Sequence, residues 1–179
     1  MRLLGALIAG GRSRRFGSDK AQALVNGRPL LDHVIEALKP QVGEMVICGR
    51  EWPGLLSLPD RPEPDQGPLG GLCAALHHAH KAGFGAVLTA GCDTLPVPDK
   101  LAGLLDHQPG VIRDQPLFGF WFASMAPMLD AWLADQPRRD MRGWIDHSGA
   151  NEVDCDIDFS NVNTREEYDQ LVAPKGRTA

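Results

Sequence analysis

Apolar runs alternate with segments of helical period along the chain. Leu3 to Ala9 is a near-continuous apolar run, the pattern of a strand buried on both faces. In "LLDHVIEALK" the residues Leu31, Val34, Ile35 and Leu38 recur on one helical face, and Pro40 stops that helix before a second strand, "EMVICG". "LLSLPD" reads as a short third strand. "GLCAALHHAHKAG" carries Leu72, Ala75, Leu76 and Ala79 at helical spacing and ends at Gly83, ahead of the buried-looking strand "GAVLTAGC" and a further helix, "DKLAGLLDH". Beyond it, "GVIRDQPLFGFWFAS" predicts two extended segments, "MAPMLDAWLADQ" an amphipathic helix and "NEVDCDIDFSNVNT" an extended stretch. "TREEYDQLV" opens with Thr164 three residues before Glu167, a capping-box pattern. Strands alternating with helices are the rhythm of crossover units, so the chain predicts a three-layer α/β domain with a mostly parallel sheet over residues 1–172. Residues 173–179 read as a frayed tail. Ligands are expected outside the carboxyl ends of the parallel strands.

With 179 residues, 43% of them hydrophobic, the chain can bury one substantial core but hardly two. Its formal net charge of −5 excludes a general nucleic-acid binder, which needs basic surface to displace counterions. Arginines gather in the first loop and again in "PRRDMRGW", a distribution that suits a small polyanionic ligand in a locally positive pocket. Cys48, Cys73, Cys92 and Cys155 lack CxxC spacing and read as reduced thiols of a cytoplasmic protein. A secretory reading of "MRLLGALIAGG" would remove the strand that feeds the glycine loop. No apolar run approaches the ~20 residues needed to cross a bilayer, so no membrane partner is expected.

Four stretches carry candidate chemistry. In "LIAGGRSRRFGSDKA" a strand breaks at Gly10 and Gly11, whose backbone N–H groups can face an anion, while Arg12, Arg14, Arg15 and Lys20 supply charge. The alternative is a merely solvated basic face. This is neither a Walker A loop, because Gly17 is followed by Ser18, nor a GxGxxG fingerprint, yet a nucleoside triphosphate suits its guanidinium groups. In "DRPEPDQGPLGGL", Asp60 follows a short strand, and Gly67, Gly70 and Gly71 let a ligand approach the backbone unless they merely form a turn. In "AGCDTLPVP", Asp93 directly follows an apolar strand, where a carboxylate can hold Mg²⁺ against phosphates or simply cap a turn. In "FSNVNT", Asn161 and Asn163 share a face if extended and can bind a metal or a polar ring, although asparagines also commonly end strands. His77, His78 and His80 read as structural, because neighbouring helical residues do not share a face. Trp121, Trp132 and Trp144 read as packing residues.

"AGGRSRRFGSDKA", "NGRPLLDHV", "DQGPLGGL", "CDTLPVP", "PLFGFW", "RRDMRGWI" and "FSNVNT", in that order, resemble the molybdenum cofactor guanylyltransferases, the MobA family, over almost the whole chain. The resemblance implies a single Rossmann-like nucleotidyltransferase domain that transfers GMP from GTP to molybdopterin carrying molybdenum, with Mg²⁺ as cofactor. It implies that Ile8, Ala9, Gly10 and Gly11 form the nucleotide loop, with Arg15 the loop arginine and Lys20 the phosphate-binding lysine. Asp60 then matches the guanosine contact and Asp93 the Mg²⁺ ligand, and backbone near Gly70 lies against the base. Arg138, Arg139 and Arg142, with Asn161 and Asn163, are expected to receive the pterin phosphate. Molybdoenzymes or their chaperones are the expected protein partners.

One departure stands out: Cys48 occupies the end of the second strand, where the family commonly has an asparagine that contacts the nucleotide. A thiol is a poor substitute for an amide in hydrogen bonding. Restoring the amide by Cys48→Asn is therefore expected to tighten GTP binding modestly. The rival readings are a molybdopterin cytidylyltransferase or another NTP-dependent nucleotidyltransferase and, from a different class, a non-catalytic escort that binds nucleotide or cofactor.

Overall fold

The computed structural model describes residues 1–9, 20–135 and 139–161, and of Lys20, Ser160 and Asn161 the backbone alone. The expected capping box at Thr164 and the tail at 173–179 lie outside these residues. The chain opens with β1 (Leu3–Ile8), a 3-10 turn over Lys20–Gln22 and a small hairpin of β2 (Leu24–Val25) and β3 (Arg28–Pro29). Asn26 and Gly27 both have positive φ, 49° and 77°, as a two-residue turn between paired strands requires. There follow α1 (Leu30–Leu38), β4 (Glu44–Cys48), β5 (Leu56–Leu58), α2 (Pro68–Ala82), β6 (Ala86–Gly91), β7 (Thr94–Leu95) and α3 (Leu101–Leu104). The chain continues through β8 (Gly110–Ile112), β9 (Gln115–Phe122), α4 (Ala126–Asp135), α5 (Met141–Ser148), β10 (Asn151–Val153) and β11 (Ser160–Asn161).

Seven strands form the central sheet in the order β10-β8-β9-β6-β1-β4-β5. The pairs β6–β1, β1–β4, β4–β5 and β10–β8 are parallel, whereas β9 runs antiparallel to both its neighbours. Alternation along each strand divides the core between two faces. Leu4, Ala6 and Ile8 of β1, Val46 and Cys48 of β4 and Val87 of β6 join the cluster under α2, α4 and α5. Leu7, Ile47, Leu88 and Ala90 face the opposite way, into the cluster under α1 and α3. Helices therefore cover both faces of the sheet, as the continuous apolar strands require.

Three tryptophans lock the first of these layers and take the packing role expected of them. Trp144 lies 6.2 Å from Trp121 and 6.0 Å from Trp132 between ring centroids, and Trp121 and Trp144 are fully buried. Such aromatic pairs contribute about 0.5–1.5 kcal/mol beyond the area they bury.

Two elements differ from the sequence reading, and a third is a helix where that reading assigned no element. The helix ending at Gly83 begins at Pro68, so Gly70 and Gly71 lie inside its first turns rather than ahead of it. The segment "DKLAGLLDH" yields a single turn, Leu101–Leu104, because Asp106 and His107 adopt left-handed backbone at φ 51° and 53° and end it. The basic segment around Arg142 is helical: Asp140 caps α5 by accepting from the Gly143 N–H at 2.8 Å, and Gly149 closes it at φ 67°. Both caps are readable in "DMRGWIDHSG", as an aspartate ahead of the helix and a glycine after it.

Candidate active site

Four parallel strands end in register. Ile8 lies opposite Cys48 on one side and Gly91 on the other, and Cys48 lies opposite Leu58. The chain leaves this row through Ala9, Gly49, Asp60 and Asp93, so the candidates from separate stretches of sequence meet at one edge of the sheet. The row is held beyond the strands, since the Ala9 N–H donates to the Cys48 carbonyl at 3.0 Å and the Gly49 N–H to the Leu58 carbonyl at 3.1 Å.

Asp60 is seated against the start of α2. Gly67, at φ 67°, precedes the helix, and the Gly70 N–H donates to the Gly67 carbonyl at 3.1 Å. The Gly70 carbonyl accepts from the Arg61 N–H at 3.2 Å. Both polar groups of the Gly70 peptide positions are thus engaged within the protein, and its missing side chain is what admits Asp60. A Cβ on Gly70 would stand 2.5 Å from the Gln66 Cβ and 3.0 Å from both Cβ and Cγ of Asp60. The Gln66 backbone N–H donates to the Asp60 carboxylate.

Two buried acceptors in this corner have no donor among the described residues: Oδ1 of Asp60 and Oε1 of Gln66. The Gln66 amide is oriented by its Nε2, which donates to the Pro64 carbonyl at 3.3 Å and leaves the oxygen facing inward. Burial pushes the Asp60 carboxyl above its ordinary pKa; the Gln66 N–H works against that, and Asp65 adds to it. Gln66 was not singled out by the sequence reading. Its only signal was its place between the acidic loop and Gly67.

Cys48 forms a wall of this site and presents no exposed atom. Its side chain is fully buried, 3.0 Å from where a Gly71 Cβ would stand, with Ile8 methyl carbons at 3.5 and 3.6 Å from the same point. Burial, with a further contribution from the Asp60 charge, pushes its thiol up to about 12. The side chain at the position expected to contact the nucleotide thus packs in the core cluster under α2.

Asp93 follows β6 by two residues and is half-buried. Its Oδ1 lies 3.5 Å from the Thr94 hydroxyl, the limit of a hydrogen bond. A single carboxylate with little committed to protein donors fits Mg²⁺, which takes one or two carboxylates and fills its remaining positions with phosphate and water. β7 pairs antiparallel with β11, which sets Asn161 opposite Thr94 in the register. Thr94, the last residue of "CDT", and Asn161, the first of "NVNT", thus meet through their backbones, although they are far apart in sequence.

Lys20 opens the 3-10 turn Lys20–Gln22. Its side chain lies outside the described residues, as do Gly10, Gly11, Arg12, Arg14, Arg15, Arg138 and Asn163. Arg139 is half-buried just before α5, and Arg142 is exposed on it. Among the described residues His77 forms no ligating cluster with its sequence neighbours His78 and His80. It pairs instead with Asp130 of α4, at 2.7 Å.

Known proteins resemble this chain in sequence and in fold. The MobA-like NTP transferase domain family matches residues 5–151. A molybdenum cofactor guanylyltransferase of Cereibacter sphaeroides is 39% identical, covering 93% of this chain and 94% of its own. A relative of the same name from Sinorhizobium fredii (strain NBRC 101917 / NGR234) is 32% identical, covering 92% and 88%. Among solved structures, molybdopterin-guanine dinucleotide biosynthesis protein A from Archaeoglobus fulgidus shares the fold with a TM-score of 0.62 at 20% identity, covering 95% of this chain and 87% of its own. With identity at this level running through nearly the full length of both curated relatives, the chain belongs to the molybdenum cofactor guanylyltransferase (MobA) family, within the MobA-like NTP transferases.

Proposed function

We propose that the protein transfers GMP from GTP to molybdopterin carrying molybdenum, releasing pyrophosphate and forming the guanine dinucleotide cofactor. The observation that carries this reading is the buried Oδ1 of Asp60, without a donor among the described residues, at the end of four in-register parallel strands. A buried acceptor without a donor costs about 1–3 kcal/mol, which a ligand donor recovers on binding. Guanosine supplies such donors, at N1 and N2 of the base and at the ribose hydroxyls. Cytosine and adenine present a single exocyclic amine beside an acceptor nitrogen, so they satisfy paired acceptors less well. The orphaned Oε1 of Gln66 extends the same preference.

In the reaction an oxygen of the pterin's terminal phosphate attacks the α-phosphorus of GTP. The bond from that phosphorus to the bridging oxygen breaks, and pyrophosphate leaves with the electron pair. Two anions must be brought together, so catalysis rests on positioning and charge neutralisation, with no protein nucleophile. Asp93 would hold Mg²⁺, which supplies charge compensation on the phosphate oxygens. Arg15 and Lys20 add fixed positive charge, and Ile8 to Gly11 provide the backbone cradle. Arg138, Arg139 and Arg142, with Asn161 and Asn163, receive the acceptor phosphate. The β7–β11 register, bringing the Asn161 backbone alongside that of Thr94, supports a second substrate close to Asp93.

Among the described residues no helix is long and apolar enough to cross a membrane, and the four cysteines form no disulfide. We infer a cytoplasmic enzyme that passes its product to molybdoenzymes or their chaperones. The test is turnover of molybdenum-loaded molybdopterin by purified protein with GTP, CTP or ATP in competition. GTP is expected to be preferred by tenfold or more, since one lost partner of about 1.4 kcal/mol is a factor of ten. Equal use of CTP would overturn the guanine assignment, and nucleotide binding without pyrophosphate release would favour the escort reading.

A further inference from the structure

One cluster of ligating side chains lies outside the strand-end row. Cys73 and His77 stand one turn apart on α2, and Asp130 reaches them from α4. The Cys73 thiol donates to Asp130 Oδ1 at 3.1 Å, while His77 Nε2 meets Asp130 Oδ2 at 2.7 Å. One potential ligand atom from each residue lies within 4.8 Å of the other two, and among the described residues no other group of three histidine, cysteine or acidic side chains does this. Cys73 is buried, while the side chains of His77 and Asp130 are 31% and 39% exposed, so the cluster has a sulfur floor and a rim open to water.

We infer that Cys73, His77 and Asp130 form a binding site for a zinc-class divalent cation that clamps α2 to α4. Tetrahedral zinc with bonds of about 2.0–2.3 Å sets its ligand atoms about 3.3–3.6 Å apart. A single Asp130 oxygen on the metal keeps one of these contacts, 3.1 Å from Oδ1 to Cys73 or 2.7 Å from Oδ2 to His77, which needs to open by about half an ångström, and the other separations, each within 4.8 Å, need to close by at most about 1.2–1.5 Å. Thiolate and carboxylate balance the two positive charges once the thiol loses its proton, and the neutral imidazole completes a three-ligand set with one position left for water. Sulfur and imidazole select zinc, cobalt or copper over Mg²⁺, which separates this site chemically from Asp93. The Arg61 guanidinium also reaches Cys73 and is the cation that the bound metal would face there. A clamp here acts on the helix whose first turns carry Gly70 and Gly71, so bound metal would stiffen one wall of the strand-end site. The inference does not depend on which nucleotide that site takes.

The test is titration of the full-length, tag-free protein with Co²⁺, followed by Zn²⁺ competition. One equivalent of Co²⁺ is expected to give a thiolate-to-cobalt charge-transfer band that Zn²⁺ removes and Mg²⁺ does not. Cys73→Ser should abolish the band. His77→Ala and Asp130→Asn should weaken binding by about 100-fold or more, because loss of even a supporting group outside the ligand shell costs 10–100-fold. His80→Ala should bind like the wild type. Cys73→Ser alters a core position, so the two rim variants decide the matter if it fails to fold. A wild-type protein without the band, a band that survives Cys73→Ser, or rim variants with unchanged affinity would overturn the assignment.

Discussion

Gly70→Ala sets two effects of known size against each other. Replacing glycine by alanine within a helix ordinarily gains about 0.5–1 kcal/mol. Here the new Cβ would meet the Gln66 Cβ at 2.5 Å and Asp60 at 3.0 Å. None of those atoms is the free end of a flexible chain: the Asp60 loop is tied to Gly70 itself by the Arg61 N–H. Overpacking of this kind costs about 1–3 kcal/mol, which exceeds the helix gain. The expected net loss is roughly 1 kcal/mol, a fall in Tm of about 2–4 °C for a domain of this size. The functional effect should be larger. Moving Asp60 and Gln66 misplaces both orphaned acceptors, and one hydrogen bond to a charged group is worth about 1.5–3 kcal/mol, so KM for GTP should rise by about tenfold or more. Gly103→Ala is the control, since its nearest atom is the Lys100 Cβ at 3.9 Å; it should raise Tm slightly and leave turnover unchanged. Thermal melts and GTP kinetics on both variants decide the point. A Gly70→Ala protein with unchanged Tm and unchanged KM would refute the packing argument.

Asp60→Asn should lose GTP selectivity yet gain stability at neutral pH. A carboxyl whose pKa is raised on folding contributes stability below its unfolded pKa, and that contribution is lost as pH rises through the folded value. The Tm advantage of the variant should therefore grow from acid towards neutral pH, and an advantage confined to acid pH would contradict this sign. Asp93→Asn should keep the melting temperature and lose turnover, with near-normal GMP transfer at ordinary Mg²⁺ the disproof. Lys20→Ala should cost on the order of 10²-fold in rate, by comparison with other lost transition-state donors, and unchanged kcat/KM for GTP would remove the lysine from the mechanism. Cys48→Asn should destabilise the protein by about 1–3 kcal/mol without tightening GTP binding, because it buries an amide against Ile8 and Gly71; tighter binding at equal Tm would show the side chain reaching the ligand.

The strands and long helices were legible because their signal is local. The periodicity of Leu31, Val34 and Leu38 is enough to define α1, and the apolar run at β1 predicts burial on both faces. The placement of Asp60 and Asp93 along one edge, after β5 and β6, follows from a parallel sheet whose loops leave that edge. What escaped was set by contacts between remote segments. Cys48 reads as a ligand contact from its place at a strand end, but strand parity turns its thiol into the layer under α2. Gly70 reads as room for a ligand, whereas the space is filled by Asp60 and Gln66. The three histidines read as unable to cooperate, correctly for neighbours in a helix. The pair that matters is Cys73 with His77 at i and i+4, completed by an aspartate 53 residues away from the histidine.

Register is what converts these separate residues into one site. Ile8 and Cys48, opposite each other, both turn towards the α2 layer, and Leu58 beside them packs there too. Ala9, one step further, packs on the α1 layer. A slip of one residue between β1 and β4 would exchange the faces, driving the apolar set of one layer into the other and bringing the Cys48 thiol out of the core. The two hydrophobic layers therefore hold the strand ends level with far more free energy than any contact at the edge supplies. That leaves the edge free to carry an unfavourable feature, a buried carboxylate oxygen without a donor among the described residues, whose cost the core absorbs. A ligand that donates to Asp60 removes this cost, so binding and stability are linked: GTP should raise Tm in the wild type by more than in Asp60→Asn. The same comparison made with CTP should show a smaller difference between the two proteins, because the advantage of guanine resides in the donors that Asp60 lacks in the free enzyme.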